Sequence, residues 1–222
     1  MSPTRLAALD PGRPVVEQLR ERVAAMERRP ALEPVPTLPG LTDILPLHAG
    51  TTYAVDSASL ALAVAAGASR AGEWVGFAGC PDFGVEAAAE LGIELSRTVL
   101  VPDPGEHWLE VTAARVDVLR VVVLRPPASV DARTAGILDS RLRNRSAVLV
   151  VHGQWPRVEA RLSTVESAWS GPATGAGQLE SRRARVSVHR GARPSQPFEL
   201  SWPGVHRVER VDRQHDVHSA TG

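Results

Sequence analysis

The residues best placed for chemistry follow apolar runs that are typical of buried strands. The segment LHAGTTYAVDSASLALAVAAG, residues 47–67, indicates a strand, a short turn and an Ala/Leu helix, which is where an α/β nucleotide-binding domain keeps its phosphate-binding loop. Its turn contains Asp56 and Ser57 but neither glycine nor lysine. A phosphate at this turn would therefore lack both the flexible backbone N–H groups and the cation that normally hold it.

Two charges make nucleotide chemistry still less favourable. Asp56 lies where phosphate oxygens would be, and at ~4 Å and an effective dielectric of about 20 two like charges repel by roughly 4 kcal/mol. The apolar run 121–124 ends in Arg125 instead of the carboxylate that would order Mg²⁺. We therefore interpret Asp56, Ser57 and Arg125 as a degenerate nucleotide site. We expect no ATP hydrolysis, no cofactor and no metal, so the chain is not predicted to be an enzyme.

Composition removes several further classes of function. All the basic residues are arginine, so no lysine is present to act as a Schiff-base former or general base. Cys80 is the single cysteine, which excludes an internal disulfide and a multi-cysteine zinc site. The longest apolar stretch, residues 58–68, is too short to span a bilayer, and no signal-peptide pattern begins the chain. We expect a cytoplasmic protein that does not bind membranes.

Charge is unevenly distributed, although Lys plus Arg equals Asp plus Glu at 25 each. Residues 141–193 contain ten arginines and only three glutamates, whereas residues 73–117 contain nine acidic residues and only two arginines. The sequence therefore predicts a molecule with one basic and one acidic side.

The N-terminal part predicts a helix with a narrow apolar stripe, followed by a proline-rich stretch. The stripe consists of Val16, Leu19, Val23 and Met26. The prolines from Pro30 to Pro39 favour a semi-rigid linker that is not part of a core. Residues 1–38 are thus predicted to be a helical arm and linker, and the arm either packs on its own domain or docks on a neighbouring protein.

From residue 47 onward, apolar runs alternate with helical patterns. Strands are predicted at residues 51–55, 74–78, 98–101, 120–124 and 147–151, and helices at residues 59–68, 85–91, 108–118 and 130–144. This alternation indicates an α/β fold with a mainly parallel sheet flanked by helices. Shorter strands at residues 161–165, 185–189 and 198–202 predict an antiparallel extension. The domain boundaries follow: residues 39–193 form the core, and residues 194–222 form a C-terminal extension and tail.

Three segments, in the same order, resemble RecA recombinases. FAGCPDFGVEAAAELGIELSRTVLVPDPGEHWLE (77–110) resembles their stretch from the second core strand to the P-D-x-G-E motif. LVVHGQW (149–155) places Gln154 on the glutamine that reports nucleotide state to the DNA-binding loop, and TGAGQLESRRARVSVHR (174–190) is similar to the segment that follows that loop. The resemblance covers about residues 45–190 and implies a RecA-like fold.

The chain lacks the catalytic residues of RecA proteins, so the resemblance implies their fold and not their activity. Cys80-Pro81 stands where RecA proteins carry the catalytic glutamate, so the glutamate is missing as well as the phosphate loop and the second acid. Among RecA-like proteins with degenerate ATPase motifs, the chain resembles the actinobacterial ImuA-type accessory proteins, including the ImuA-prime variant. This resemblance implies a non-catalytic adaptor in DNA-damage-induced (SOS) mutagenesis and translesion synthesis. The implied partners are a Y-family polymerase-like protein of the ImuB type and an error-prone DnaE-type polymerase.

Two surfaces are predicted from residue types. Arg182, Arg183 and Arg185 lie beside a glycine-rich turn and are candidate contacts for DNA phosphates, which gives the alternative function, a single-stranded DNA-binding protein of RecA descent without ATPase activity. The opposing interpretation is a solvated basic strand, since no aromatic residue lies nearby in the sequence to stack on bases. Phe198 and Trp202 either cap the sheet or anchor a partner, and the resemblance favours the anchor.

Overall fold

The computed structural model describes residue 16 and residues 33–170, 181–191, 193–203 and 209–211, with the side chains of 193–196, 203 and 209–211 excepted. The chain divides into two compact units, Met1–Leu32 and Glu33–Gly222. In the first unit only Val16 is described, as a helical residue with an exposed side chain. The other residues of the predicted apolar stripe, Leu19, Val23 and Met26, lie outside the described residues.

The strands of the second unit form a small and a large sheet. They are β1 (Pro34–Val35), β2 (Leu47–His48), β3 (Thr52–Val55), β4 (Val75–Ala78), β5 (Thr98–Val101), β6 (Val121–Leu124), β7 (Val148–His152), β8 (Ala160–Ser170), β9 (Ser181–Arg190), β10 (Arg193–Pro203) and β11 (Glu209–Val211). The helices are α1 (Pro39–Thr42), α2 (Ala58–Arg70), α3 (Val85–Glu90), α4 (Trp108–Val116) and α5 (Ala132–Arg145). Short 3₁₀ helices lie at Leu95–Arg97 and Gly105–His107.

The large sheet has the order β11-β10-β9-β8-β3-β7-β6-β4-β5. The strands from β8 to β5 in this order are mutually parallel, and β9, β10 and β11 are each antiparallel to their neighbours. The predicted α/β fold, with a mainly parallel sheet and an antiparallel extension, is confirmed. We call β8–β11 the antiparallel extension.

Helices cover both faces of the parallel strands. The core on one face contains the apolar residues of α2 and α3, and the core on the other contains those of α4 and α5. Strands β3, β4 and β6 are buried along their whole length, which is why their sequences are continuous apolar runs without alternation. This arrangement leaves the ends of the strands as the place where polar side chains gather.

The proline-rich stretch contributes to the core, so its interpretation as a separate linker is wrong from residue 33 onward. Val35 and Leu38 are buried, and β1 pairs with β2. A Cβ on Gly67, in the last turn of α2, would lie 2.3 Å from the Thr37 Cα atom. Proline needs no partner for a backbone N–H, which suits it to an extended segment that crosses a buried helix.

The acidic and basic stretches occupy different parts of the sheet. Residues 73–117 include β4 and β5, which end the sheet on one side, whereas residues 141–193 include β7, β8 and β9. The uneven charge seen in the sequence therefore becomes a separation across the sheet.

Candidate site at the carboxyl edge of the sheet

The carboxyl ends of the parallel strands bring the degenerate site residues to one edge of the sheet. Asp56 follows β3, Arg125 follows β6, and Cys80 lies two residues after β4. Gln154 follows β7 by two residues and is exposed. The contacts that Asp56, Arg125 and Cys80 make at this edge are with their own chain.

Asp56 attaches β3 to β8. One carboxylate oxygen accepts the backbone N–H of Thr164 at 2.7 Å, and the other accepts the Thr164 hydroxyl at 3.3 Å. Pairing between β3 and β8 ends at Leu162, and a register shift in the β8–β9 ladder follows between Thr164 and Glu166. The Asp56 carboxylate thus accepts a backbone N–H of β8 that lies beyond the last residue paired with β3. The negative charge that would repel phosphate therefore has a structural role.

Ser57 is the N-cap of α2. Ser57 has an extended backbone, with φ of −141°, and its Oγ accepts the N–H of Leu60 at 3.4 Å. Ser59 lies inside the first helical turn, where its Oγ accepts a hydrogen bond from the Arg182 guanidinium at 2.6 Å. Ser57 therefore caps the helix, and Ser59 contacts the antiparallel extension.

Arg125 is held by Asp82. One guanidinium nitrogen lies 3.1 and 3.2 Å from the two oxygens of that carboxylate, at a partly exposed position. The turn beneath is tight, because Gly79 has φ of +73° and a Cβ there would lie 2.2 Å from the Arg125 carbonyl oxygen. A cation with a carboxylate partner thus occupies the strand end that would order Mg²⁺ in an ATPase.

Cys80 is a buried thiol. Its side chain is 9% exposed, and its S–H donates to the Ala78 carbonyl with a sulfur–oxygen distance of 3.7 Å. Burial, reinforced by the Asp82 carboxylate and opposed by Arg125, raises the pKa of Cys80 to about 11. The thiol is therefore neutral near pH 7 and is a poor nucleophile.

The raised pKa of Cys80 predicts that the folded protein loses stability at high pH. Because the folded pKa of this thiol is raised, its contribution to the free energy of unfolding is complete below the ordinary thiol pKa of about 8.5 and is lost as pH rises toward about 11. We expect the urea midpoint of the natural chain to fall in this range more than that of Cys80→Ala. Equal falls in the two chains would contradict the assigned burial.

The Arg182 side chain lies between two tryptophans, an arrangement that sequence reasoning missed. Its guanidinium carbon is 5.3 Å from the ring centroids of both Trp169 and Trp202, a cation–π geometry. Register places these three residues side by side on β8, β9 and β10. Their distance along the chain hides this grouping, since it depends on the shifts in strand pairing.

The three arginines predicted to bind DNA do not form one surface. Side chains alternate between the faces of a strand, so Arg182 lies on one face of β9 while Arg183 and Arg185 lie on the other. Arg185 is paired with Glu166 at 3.4 Å and with Glu199 at 4.0 Å. Arg183 is exposed and has no ion-pair partner among the described residues, so it is the one of the three available to an external phosphate.

The C-terminal aromatics have a packing role. Phe198 and Trp202 are partly buried and pack against the core that contains α2. This contact is the one expected of a cap on the sheet. Their predicted contact with a partner stays a prediction.

Other motifs in the resemblance have local structural explanations. The Asp103 carboxylate accepts the N–H of Gly105 at 3.1 Å, at the start of a 3₁₀ turn that leads into α4. At the end of α5, Arg141 and Arg145 contact Asp117 at 2.8 and 3.3 Å.

Within the described ranges, no cluster of three or more His, Cys, Asp or Glu side chains could hold a metal ion. No helix in those same ranges has the length and apolar character needed to cross a bilayer.

Comparison with known proteins gives this α/β chain a family. Residues 41–157, more than half of the chain, match the family described as the MT3502 N-terminal domain, and the chain belongs to this family. It is also similar to the uncharacterized protein Rv3395c of Mycobacterium tuberculosis strain H37Rv, with 29% identity over 194 residues that cover 81% of this chain and 93% of that protein. The family match spans β2 to β7, the strands whose carboxyl ends form the site described above, and ends before the antiparallel extension begins.

Proposed function

We propose that this protein is a non-catalytic, RecA-like adaptor in DNA-damage-induced mutagenesis, where it supports translesion DNA synthesis through protein contacts. Its partner is a Y-family polymerase-like protein of the ImuB type, with an error-prone DnaE-type polymerase as a further partner, and it acts in the cytoplasm. One observation supports the non-catalytic part above all others. At the strand ends where an ATPase presents its catalytic groups, Asp56 binds Thr164, Arg125 binds Asp82, and Cys80 is buried and neutral.

The placement of the resembling segments supports the RecA-like part of the proposal. The P-D-P-G-E segment follows β5 and leads into α4, and Gln154 follows β7, so both lie where the carboxyl ends of parallel strands emerge. In open α/β sheets this edge carries function. A chain that keeps the strand ends and loses the catalytic groups is suited to binding and not to turnover.

A role in protein contacts is supported by β5, the edge strand at the end of the large sheet farthest from the antiparallel extension. β5 ends the described sheet and has one unpaired backbone edge. Leu100 on this strand is 38% exposed, and Leu95 and Val85 on the two preceding elements are exposed as well. An edge strand flanked by exposed apolar side chains in an acidic stretch favours an extended segment of a neutral or basic partner.

The partner contact is tested in the full-length chain, because Val35 and Leu38 are buried in the core and truncation at residue 38 would remove them. The apolar stripe is replaced in one variant by Val16→Asp, Leu19→Asp, Val23→Asp and Met26→Asp. A matched control changes the charged neighbours by Glu17→Ala and Glu21→Ala. If the arm docks on the partner, the first variant loses recovery of the polymerase-like protein from DNA-damaged cells and the control retains it. Equal recovery by both variants would rule out the arm as the docking element.

A second candidate function, single-stranded DNA binding, is favoured by the exposure of Trp169 and Arg183. Trp169 is 58% exposed although Arg182 covers one side of its ring. Arg183 is exposed on the opposite face of the neighbouring strand. An aromatic ring for base stacking and an arginine for phosphate are two kinds of group that sequence-independent binding of single strands uses.

This second candidate predicts a specific binding defect. We expect Trp169→Ala to weaken oligonucleotide binding by about 1–3 kcal/mol, the usual contribution of one stacked base, and Arg183→Ala to reduce the salt dependence of binding. Glu90→Ala, on the acidic side of the sheet, serves as the control. Fluorescence anisotropy of a labelled single strand at low salt measures each effect, and the absence of binding by the natural chain would remove this candidate.

A further inference from the structure

Polar contacts join the degenerate nucleotide edge to the antiparallel extension. Asp56, after β3, accepts the N–H and the hydroxyl of Thr164 on β8. Ser59, in the first turn of α2, accepts from Arg182 on β9 at 2.6 Å. These contacts use a carboxylate and a hydroxyl from the same strand–turn–helix that would hold phosphate in an active relative.

Arg182 connects several elements at this point. Its Nε donates to the Ser167 hydroxyl on β8 at 2.8 Å, while one terminal nitrogen reaches Ser59 on α2. Its guanidinium group also stacks between Trp169 of β8 and Trp202 of β10. One side chain on β9 therefore contacts both neighbouring strands, β8 and β10, and the first turn of a buried core helix.

We infer that Asp56, Ser59 and Arg182 are positioning residues that have replaced nucleotide at this edge. They hold the antiparallel extension in one position relative to the parallel sheet without any ligand. The Arg182 guanidinium is hydrogen-bonded to Ser59 in the first turn of α2, the helix end that binds phosphate in nucleotide-binding folds, and the Asp56 carboxylate accepts the β8 backbone N–H. The two faces of the extension, one with the exposed Trp169 and the other with the exposed Arg183, are therefore held in one position and do not respond to ATP. This inference rests on the proposed function and concerns the regulation of the same site.

Hydrogen exchange measured by mass spectrometry on the full-length chain tests the inference. Arg182→Ala and Asp56→Ala are each expected to accelerate amide exchange in β8 beyond Leu162 and in β9 by at least tenfold, while β3, β6 and β7 keep their natural exchange rates. Arg183→Ala, on the next residue of β9 and the opposite face, is the matched control and should leave these rates unchanged. Asp56→Asn keeps a side-chain acceptor for the Thr164 N–H and should restore most of the protection that Asp56→Ala loses.

The pairing of Ser59 with Arg182 is tested by combining substitutions. Ser59→Ala should accelerate exchange in β9 when Arg182 is present and should add nothing in the Arg182→Ala chain, because the acceptor has then lost its donor. Uniform acceleration over the whole sheet in the single variants would show general destabilisation and would overturn the positioning role. Natural rates in both Arg182→Ala and Asp56→Ala would overturn it as well.

A separate measurement tests whether these contacts have replaced a bound nucleotide. ATP with Mg²⁺, and inorganic phosphate alone, should leave exchange in the extension of the natural chain unchanged at millimolar concentration. Slower exchange in β8 and β9 on addition of either ligand would overturn the inference. These results do not depend on any partner, so failure to recover a polymerase-like protein would contradict the proposed function and leave the positioning role standing.

Discussion

Replacing Gly67 with alanine is expected to destabilise the folded protein by about 2 kcal/mol or more, the upper end of the overpacking cost less the gain in helix propensity, although alanine is the better helix former. Gly67 lies in the buried part of α2, and a Cβ there would lie 2.3 Å from the Thr37 Cα and carbonyl carbon atoms and 2.6 Å from the Leu38 nitrogen. All three contacts are with backbone, so no side chain can rotate away. Overpacking of this kind costs about 1–3 kcal/mol and sometimes more, which exceeds the ~1 kcal/mol gained in helix propensity.

The matched control for Gly67 is the glycine inside α5. A Cβ on Gly136 would meet no atom within 4 Å, so Gly136→Ala is expected to stabilise the chain by about 0.5–1 kcal/mol. Urea unfolding of both variants measures the difference in sign. Equal effects at the two positions would show that the segment around Thr37 does not press on α2 in solution.

Replacing Leu38 with alanine is the second change with a large expected effect. Leu38 is 1% exposed and belongs to the core that contains α2, although it lies in the proline-rich stretch. Removal of a buried leucine side chain costs about 2–5 kcal/mol, according to how far the cavity can relax. We expect the urea midpoint of Leu38→Ala to fall accordingly.

Leu95 is the matched control for Leu38, because it is the same residue type with 41% of its surface exposed. Leu95→Ala is expected to cost less than about 1 kcal/mol. If Leu38→Ala cost no more than Leu95→Ala, the stretch before α1 would be a linker after all, as its prolines alone suggested.

The parallel sheet could be predicted because its sequence signal is local. Residues 98–101 were predicted as a strand and form β5 with the same bounds, β3, β4 and β6 each begin one residue later than predicted, and β7 is shifted by one residue at both ends. Strands buried on both faces are continuous apolar runs, and the helices between them have recognisable starting residues. Asp131, for example, accepts the N–H groups of Arg133 and Thr134 at the beginning of α5.

The packing of the stretch before α1 on the core could not be predicted, because proline is suited both to a linker and to a packed extended segment. The same prolines that make a linker stiff also allow an extended strap over a buried helix, since neither use needs a backbone N–H. What decides between them is Gly67, whose missing side chain admits the Thr37 backbone. That relation joins positions far apart in the chain, and no local pattern contains it.

The contacts made at the candidate site could not be predicted from the sequence. The interpretation of Asp56 and Arg125 as a degenerate nucleotide site rests on residue type alone and stays a prediction. The acceptance of the Thr164 N–H by Asp56, and the position of Arg182 between Trp169 and Trp202, depend on strand register. Register in the antiparallel extension is altered by irregularities in β8 and β10, and a shift of one residue exchanges the faces of every side chain.

The central claim is that this protein binds a polymerase-like partner and needs no nucleotide to do so. The most direct measurement captures partners on the tagged full-length chain from DNA-damaged cells, once with ATP removed by apyrase and once with a non-hydrolysable ATP analogue and Mg²⁺. A Y-family polymerase-like protein should be recovered in equal amounts under both conditions. Recovery only with the analogue, or recovery of no polymerase-like protein under either condition, would contradict the claim.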